Sequence, residues 1–517
     1  MFIKIAFLVI FFAVMLGVGF YCRKHSTDVS GFVLGGRSVG PWLTAFAYGT
    51  SYFSAVVFVG YAGQFGWKYG VAATWTGIAN ALLGSLLAWV VLGRRTRVMT
   101  QHLGANTMPK FFESRFDSRA LKIVSAAIIF IFLIPYTASL YNGLSRLFAM
   151  AFDIPYSVCV IIMAILTGIY VIAGGYMATA INDFIQGIIM LIGISAVVVA
   201  VLKTQGGFTG ALTELAKVSD ASTPGGDVPG IFASFFGPDP LNLFGVMILT
   251  SLGTWGLPQM VQKFYAIKSE KDINKGTVIS TVFATVVAGG CYFLGGFGRL
   301  FTTPEAVAAN GFDSIIPGML EGLPTVLIAV VIVLVLSASM STLSSLVLVS
   351  SSTLTLDFLQ DVLKKKMNEK KQLLVMRGFI VVFIAISVVI AITQYKSGAN
   401  FIAQLMGVSW GALAGAFLGP FLFGLYWKKT TKLACWVNFI FSTVVMLLNC
   451  FVRSSFPALL QSPINAGAFC MLAGLIIVPV VSLLSKAPEK SLVENIFSCY
   501  DRKVVVSASE SIGEENN

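Results

Sequence analysis

The chain has 517 residues, of which 56% are hydrophobic and 11% charged. A soluble protein carries about a quarter charged residues, so the composition excludes a soluble globular fold and places most of the chain in lipid. The formal net charge of +12 would suit nucleic-acid binding, but Lys and Arg fall in short clusters between apolar runs, which excludes that class as well.

In chain order the predicted spans are Phe2–Tyr21, Pro41–Phe65, Val71–Leu92, Leu121–Ala151, Tyr156–Gly174, Met177–Leu202, Leu241–Ile267, Thr277–Leu300, Thr325–Val349, Leu373–Ile392, Phe401–Tyr426, Leu433–Phe451 and Ala466–Leu484. These thirteen segments are long enough to cross a bilayer as helices. Lys and Arg crowd every second connection. They follow the first span (Arg23, Lys24, Arg37), the third (Arg94, Arg95, Arg97), the seventh (Lys263, Lys268, Lys271, Lys275), the ninth (Lys364, Lys365, Lys366), the eleventh (Lys428, Lys429, Lys432) and the last (Lys486, Lys490). The alternate connections are nearly bare: residues 302–324 contain neither type and 205–241 only Lys217. The positive-inside rule then puts the N-terminus outside and the C-terminus in the cytoplasm, in a multi-pass protein of the cytoplasmic membrane. Lys4 precedes the first apolar run as in a signal peptide. No small-residue cleavage site follows, and Arg23 and Lys24 are placed to hold the segment as an anchor. Seven scattered cysteines and two histidines give neither a disulfide framework nor transition-metal spacing.

The second span contains Tyr48-Gly49-Thr50-Ser51, a poor helix interior, and a break there would free carbonyls at depth. Such groups are tolerated where they line a cavity or bind an ion. Gly174-Gly175 forms a very short turn between the fifth and sixth spans, which puts Asp183 about two turns into the sixth; an ionisable group at that depth points to a Na⁺ or proton path. In the long connection after the sixth span, ALTELAKV suits a short surface helix. The seventh span is interrupted in turn by Gly253, Gly256 and Pro258. Two interrupted helices five spans apart point to a five-plus-five inverted repeat with a site at the midplane. The ninth span then lies opposite the break in the second. It carries VLSASMSTLSS from Val335, and at 100° per residue Ala338, Ser341, Thr342 and Ser345 share one face. A small hard cation needs several oxygens, which hydroxyls and freed carbonyls supply. In the eleventh span Gly419-Pro420 suggests a bend and an outer gate, with Gln404 and Trp410 as solute contacts. The tail from Lys486 is polar and is expected to be disordered.

The runs FVLGGRSVGPWLTA at Phe32, YTASLYNGLSRLF at Tyr136, YVIAGGYMATAINDFIQG at Tyr170, VQKFYAIKSEKDINKG at Val261 and SMSTLSSLVLVSSSTLTLDF at Ser339 together resemble the bacterial sodium/solute symporter family. That family includes proline, pantothenate, sialic acid and galactose transporters. The resemblance implies a leucine-transporter-like core and alternating access. It also implies a main Na⁺ site made by the carbonyls of Thr50, Phe53 and Ala338 and the hydroxyls of Ser341 and Thr342. Asp183, Ser341, Ser344 and Ser345 match a second Na⁺ site found in some relatives, whereas Asn182 stands where the family has Thr, so one Na⁺ and two both remain open. Proline carriers resemble one another in a run like ASDMSGW; here it is TSYFSAV, with Tyr52 in place of the acidic residue, which argues against proline. The solute contacts expected are Tyr52, Ser54, Tyr136, Trp255, Gln259, Gln404 and Trp410.

The expectation is therefore an all-α membrane protein that uses Na⁺ as coupling ion to import a small polar organic solute. Its organisation would be an extra helix and loop (1–40), a transport core (41–427, repeats 41–203 and 240–427), two further spans (428–485) and a tail (486–517). The alternatives are a proton-coupled symporter using Asp183 and, from another class, a transporter-like sensor or passive channel. An enzyme is not expected, because no His, Cys or paired carboxylates converge within the spans.

Overall fold

Lipid offers backbone N–H and C=O groups no partners, so segments that cross it close their hydrogen bonds internally. A computed structural model describes residues 2–152, 155–362, 367–396 and 402–501, and its apolar segments are helical. The principal helices are α1 (Phe2–Tyr21), α2 (Pro41–Tyr52), α3 (Ala62–Tyr69), α4 (Arg119–Phe152), α5 (Tyr156–Thr204), α6 (Gly207–Leu215), α7 (Pro240–Gly256) and α8 (Pro258–Ala266). They continue with α9 (Glu270–Gly295), α10 (Thr325–Thr353), α11 (Glu369–Lys396), α12 (Ile402–Tyr426), α13 (Lys432–Phe451), α14 (Pro463–Leu484) and α15 (Lys490–Phe497).

Among the described residues ten helices are long and apolar enough to cross a membrane, or eleven with the pair α7–α8, bent by 46°. The sequence predicts thirteen. The difference arises in two long stretches, Val56–His102 of 47 residues and Tyr156–Thr204 of 49, which run through turns that the sequence reading treats as connections. At about 1.5 Å per residue either is more than twice the hydrocarbon thickness. Each contains a glycine at positive φ: Gly70 at 62° and Gly175 at 55°.

The connection after α5 folds as α6, which starts four residues before the expected ALTELAKV and ends at Leu215 within it. Its continuation is pinned by Arg299, whose Nε donates to the Trp67 carbonyl (2.8 Å), Nη1 to Asp220 Oδ2 (2.9 Å) and Nη2 to Thr223 Oγ1 (2.7 Å). The guanidinium also lies over the Trp67 and Phe232 rings, 4.1 and 3.7 Å from their centroids. Burial pushes the Asp220 carboxyl up, but hydrogen bonds from Ser222, Arg299 and Thr223 outweigh it and hold the carboxyl well below the usual carboxylate range. A depressed carboxyl stabilises the folded form above its unfolded value of about 3.9 and ceases to do so as pH falls through the folded value. Asp220→Asn is expected to lower the melting temperature above about pH 4, with the gap to the parent closing at more acid pH. Melting curves of both proteins across that range measure it.

α3 and α9 touch backbone to backbone. A Cβ at Gly66 would lie 1.9 Å from the Gly295 carbonyl oxygen, and one at Gly295 2.0 Å from that of Ala62. Close approach of this kind is how helices in lipid gain contact. Gly66→Val is expected to abolish recovery of monodisperse protein in detergent, whereas Gly378→Ala, where nothing lies within 4 Å, is expected to be neutral. Size-exclusion profiles of the two variants make the comparison.

On the basic face the chain before α2 is tied to the chain after α8. Val39 N–H donates to the Ala266 carbonyl at 3.2 Å, and Lys268 N–H to that of Val39 at 3.0 Å. α12 runs through Pro420 without ending, and proline cannot donate to the carbonyl four residues back. The Asn438 amide of α13 donates to that Ala416 carbonyl at 2.7 Å and to Gly415 at 2.9 Å. α13 therefore does more than fill space beside α12. The tail differs from expectation. Residues 490–497 form α15, which buries Val493, Ile496 and Phe497, and the Tyr500 hydroxyl donates to the Leu425 carbonyl at 2.8 Å. Its apolar face at helical spacing outweighs its polar composition. Lys364, Lys365, Lys366 and residues 502–517 lie outside the described residues.

Candidate functional site

α2 ends at Tyr52, and Phe53 leaves helical geometry with φ −102° and ψ 88°. The break thus comes later than the expected Tyr48–Ser51. Gly49 lies within the helix, and its missing Cβ makes room for α9: a Cβ there would lie 2.3 Å from Phe283 Cδ1. Ser54 restarts the helix, its Oγ accepting from Val56 N–H at 3.3 Å and its carbonyl from Val57 and Phe58 N–H. A helix end leaves its last carbonyls without intrahelical donors, and Thr50 carries one of them.

That carbonyl is met by α10. Ser341 Oγ donates to the Thr50 carbonyl at 3.2 Å and to that of Ala338 at 3.3 Å; Thr342 Oγ1 donates to the same two at 3.1 Å each. All four residues are buried. Phe53, stacked on Tyr52 at 4.1 Å, lines a small cavity of about 10 Å³ together with Ala338. Two carbonyls and two hydroxyls thus converge where the first broken helix crosses the hydroxyl face. A hydroxyl keeps two acceptor lone pairs and a rotatable proton, so the same four oxygens can turn toward a cation.

A second cluster lies one turn further along α10. Asp183, on α5, is fully buried, and neither carboxylate oxygen has a hydrogen-bond partner among the described residues. Ser345 Oγ is 2.8 Å from Ser51 Oγ, while Ser344 Oγ donates to the Ser341 carbonyl at 2.9 Å. Asn182 turns away and donates to the Met15 carbonyl of α1 at 3.2 Å. The residue that the sequence reading misplaced is Lys263. Counted there with the basic connection after the seventh span, it is 1% exposed on α8. Its Nζ donates to Ser345 Oγ at 2.9 Å and stands 3.7 Å from Asp183 Oδ2. The available signal was its place inside an apolar run, with Phe264-Tyr265-Ala266-Ile267 still to follow.

Of the expected solute contacts, three come together from three helices. The Trp410 ring of α12 lies 6.2 Å from Tyr52 of α2 and 5.9 Å, edge-on, from Tyr136 of α4. Tyr136 OH and Trp410 Nε1 are buried without partners among the described residues, as are both amide atoms of Gln259 on α8. Buried polar groups of this kind are the ones a polar ligand satisfies. Tyr52 OH is committed to the Thr250 carbonyl (2.7 Å), Trp255 Nε1 to that of Leu83 (3.0 Å) and Ser54 to its own restart. Gln404 lies apart. It accepts from Arg453 Nη1 at 3.1 Å in the lining of a cavity of about 790 Å³. Asn80 was not singled out from the sequence, yet its Oδ1 accepts from Thr250 Oγ1 (2.9 Å) and Ser251 Oγ (3.1 Å) of α7.

The chain is 30% identical over 455 residues to sodium/proline symporters of Staphylococcus aureus, those of strains JH9 and COL among them, covering 85% of this chain and 84% of theirs. Its fold is similar to that of a Na⁺-coupled sialic acid symporter in a substrate-bound outward-open state, with a TM-score of 0.76 at 17% identity over 95% of this chain and 99% of that one. It is also similar to Mhp1, a nucleobase-cation-symport-1 family transporter in a closed conformation, with a TM-score of 0.51 at 14% identity over 90% and 97%. The model of the sodium:solute symporter family matches residues 32–440. A broken helix crossing a hydroxyl face, in a polytopic all-α chain that matches this model over most of its length, makes the protein a membrane transporter rather than an enzyme: it belongs to the sodium:solute symporter family.

Proposed function

We propose that the protein imports a small polar organic solute by alternating access, driven by Na⁺ held at Thr50, Phe53, Ala338, Ser341 and Thr342. The observation that carries this reading is the meeting of the Ser341 and Thr342 hydroxyls at the Thr50 carbonyl. The ion would fasten α2 to α10 and shape the space beside Tyr52, Tyr136, Gln259 and Trp410 for the solute; solute would close the outer side, and parting of α2 from α10 would release Na⁺ inward. Moving one charge through 100 mV is worth about 2.3 kcal/mol and a tenfold Na⁺ gradient about 1.4. One Na⁺ can then sustain a solute gradient of several hundredfold.

The architecture proposed with it divides Val56–His102 at Gly70 and Tyr156–Thr204 at Gly175. It treats residues 41–69 and α7–α8 as single broken spans, which gives thirteen. Residues 41–203 and 240–427 are the two repeats of five spans, and the breaks in the first span of each support this division. The clustering of Lys and Arg supports an external N-terminus and a cytoplasmic C-terminus.

The test is uptake into proteoliposomes at fixed pH with Na⁺ replaced by choline. Loss of accumulation supports Na⁺ coupling, and accumulation that persists and follows pH would transfer the role to a proton at Asp183. Solutes for that assay come from a thermal-shift screen of amino acids, sugars and carboxylates with and without Na⁺. Proline, which the S. aureus relatives carry by name, belongs in the screen, although Tyr52 in place of an acidic residue argues against it.

A further inference from the structure

The pocket beside the main site already contains a cation. Asp183 Oδ2, Ser345 Oγ and the face of the Tyr176 ring surround one point, where a monovalent cation is well placed. What stands there is the Lys263 ammonium, 2.9 Å from Ser345 Oγ, 3.7 Å from Asp183 Oδ2 and 5.2 Å from the Tyr176 centroid. We infer that Lys263 is the resident, untransported cation of this pocket: it takes the place of a second Na⁺, so that one Na⁺ accompanies each turn of the cycle. This rests on the Na⁺ symport reading and deepens it.

The geometry gives the ammonium the work an ion would otherwise do. It faces the buried Asp183 carboxylate as counter-charge and ties α8, the second half of one broken span, to α10 and α5. Through Ser345 and Ser51 it reaches α2 at the residue next to Thr50. A free ion could do all this and then leave with the solute. Lys263 is covalently held and cannot. A Na⁺ seeking the same oxygens would meet a like charge in a site closed to water, where screening is weak. The main cluster of Thr50, Ala338, Ser341 and Thr342 has no such occupant among the described residues and stays available to a mobile ion.

Equilibrium binding of radioactive Na⁺ to the purified full chain tests this without knowing the solute. The parent protein is expected to saturate at one Na⁺ per chain with a Hill coefficient of one. Lys263→Arg keeps the charge and is expected to behave alike. Lys263→Met frees Asp183 and is expected to saturate at two, and adding Asp183→Asn to it returns the count to one. Two Na⁺ per parent chain would overturn the inference while leaving symport intact, and so would a folded Lys263→Met that still binds one. No Na⁺ bound to the parent would bring down the symport reading and this inference with it. The parent count decides even if Lys263→Met cannot be purified.

Discussion

Ser341→Ala and Thr342→Ala are each expected to raise the Na⁺ concentration for half-maximal uptake by about tenfold or more, equivalent to about 1.4 kcal/mol per lost ligand. Both side chains are fully buried and both converge on the Thr50 and Ala338 carbonyls within 3.3 Å. Ser341→Thr and Thr342→Ser keep the hydroxyl and are expected to keep Na⁺ affinity within a few fold, which separates a ligand from a packing residue. The same order should appear in the Na⁺-dependent rise of melting temperature, because a ligand that binds only the folded form stabilises it by RT ln(1 + [L]/Kd). An unchanged Na⁺ dependence in both alanine variants would remove this site from contention.

Asp183→Ala is expected to destabilise the protein by about 3–5 kcal/mol, the cost of leaving one partner of a buried ion pair alone. Lys263 and Asp183 have side chains 2% and 0% exposed, so neither charge can find water when the other is removed. The pair itself need not be stabilising, since a matched apolar replacement of a buried pair is often neutral. Asp183→Ala combined with Lys263→Met is therefore expected to recover most of the loss. Melting temperatures of the two single variants and the double variant measure the coupling. Additive losses would show that the two groups do not act as a pair.

The apolar helices and the hydroxyl-bearing side of α10 were legible in the sequence because both rest on local regularities. A run of apolar residues of bilayer length has few other uses, and the 3.6-residue repeat alone aligns Ala338, Ser341, Thr342 and Ser345. The broken helices were legible as regions but not as positions. Gly49 marked the first one and yet lies in regular helix, where its missing Cβ makes room for Phe283 rather than serving a turn; the break at Phe53 is set by Ser54 capping the restart. The docked tail helix was missed because burial of Val493, Ile496 and Phe497 depends on a surface supplied from elsewhere in the chain.

Composition and periodicity were enough to place this chain in a membrane, to locate most of its apolar helices, though not their ends, and to say which side of the ninth span carries oxygen. These follow from transfer of each segment into lipid and from helix geometry, which need no knowledge of neighbours. Which oxygens meet and which charge is buried depended on contacts between distant parts of the chain. Thr50 and Ser341 are separated by 291 positions, and Lys263 and Ser345 by 82. A lysine in a loop and a lysine facing a buried carboxylate look alike in one dimension, because the difference lies in the electrostatic environment that other helices create around it.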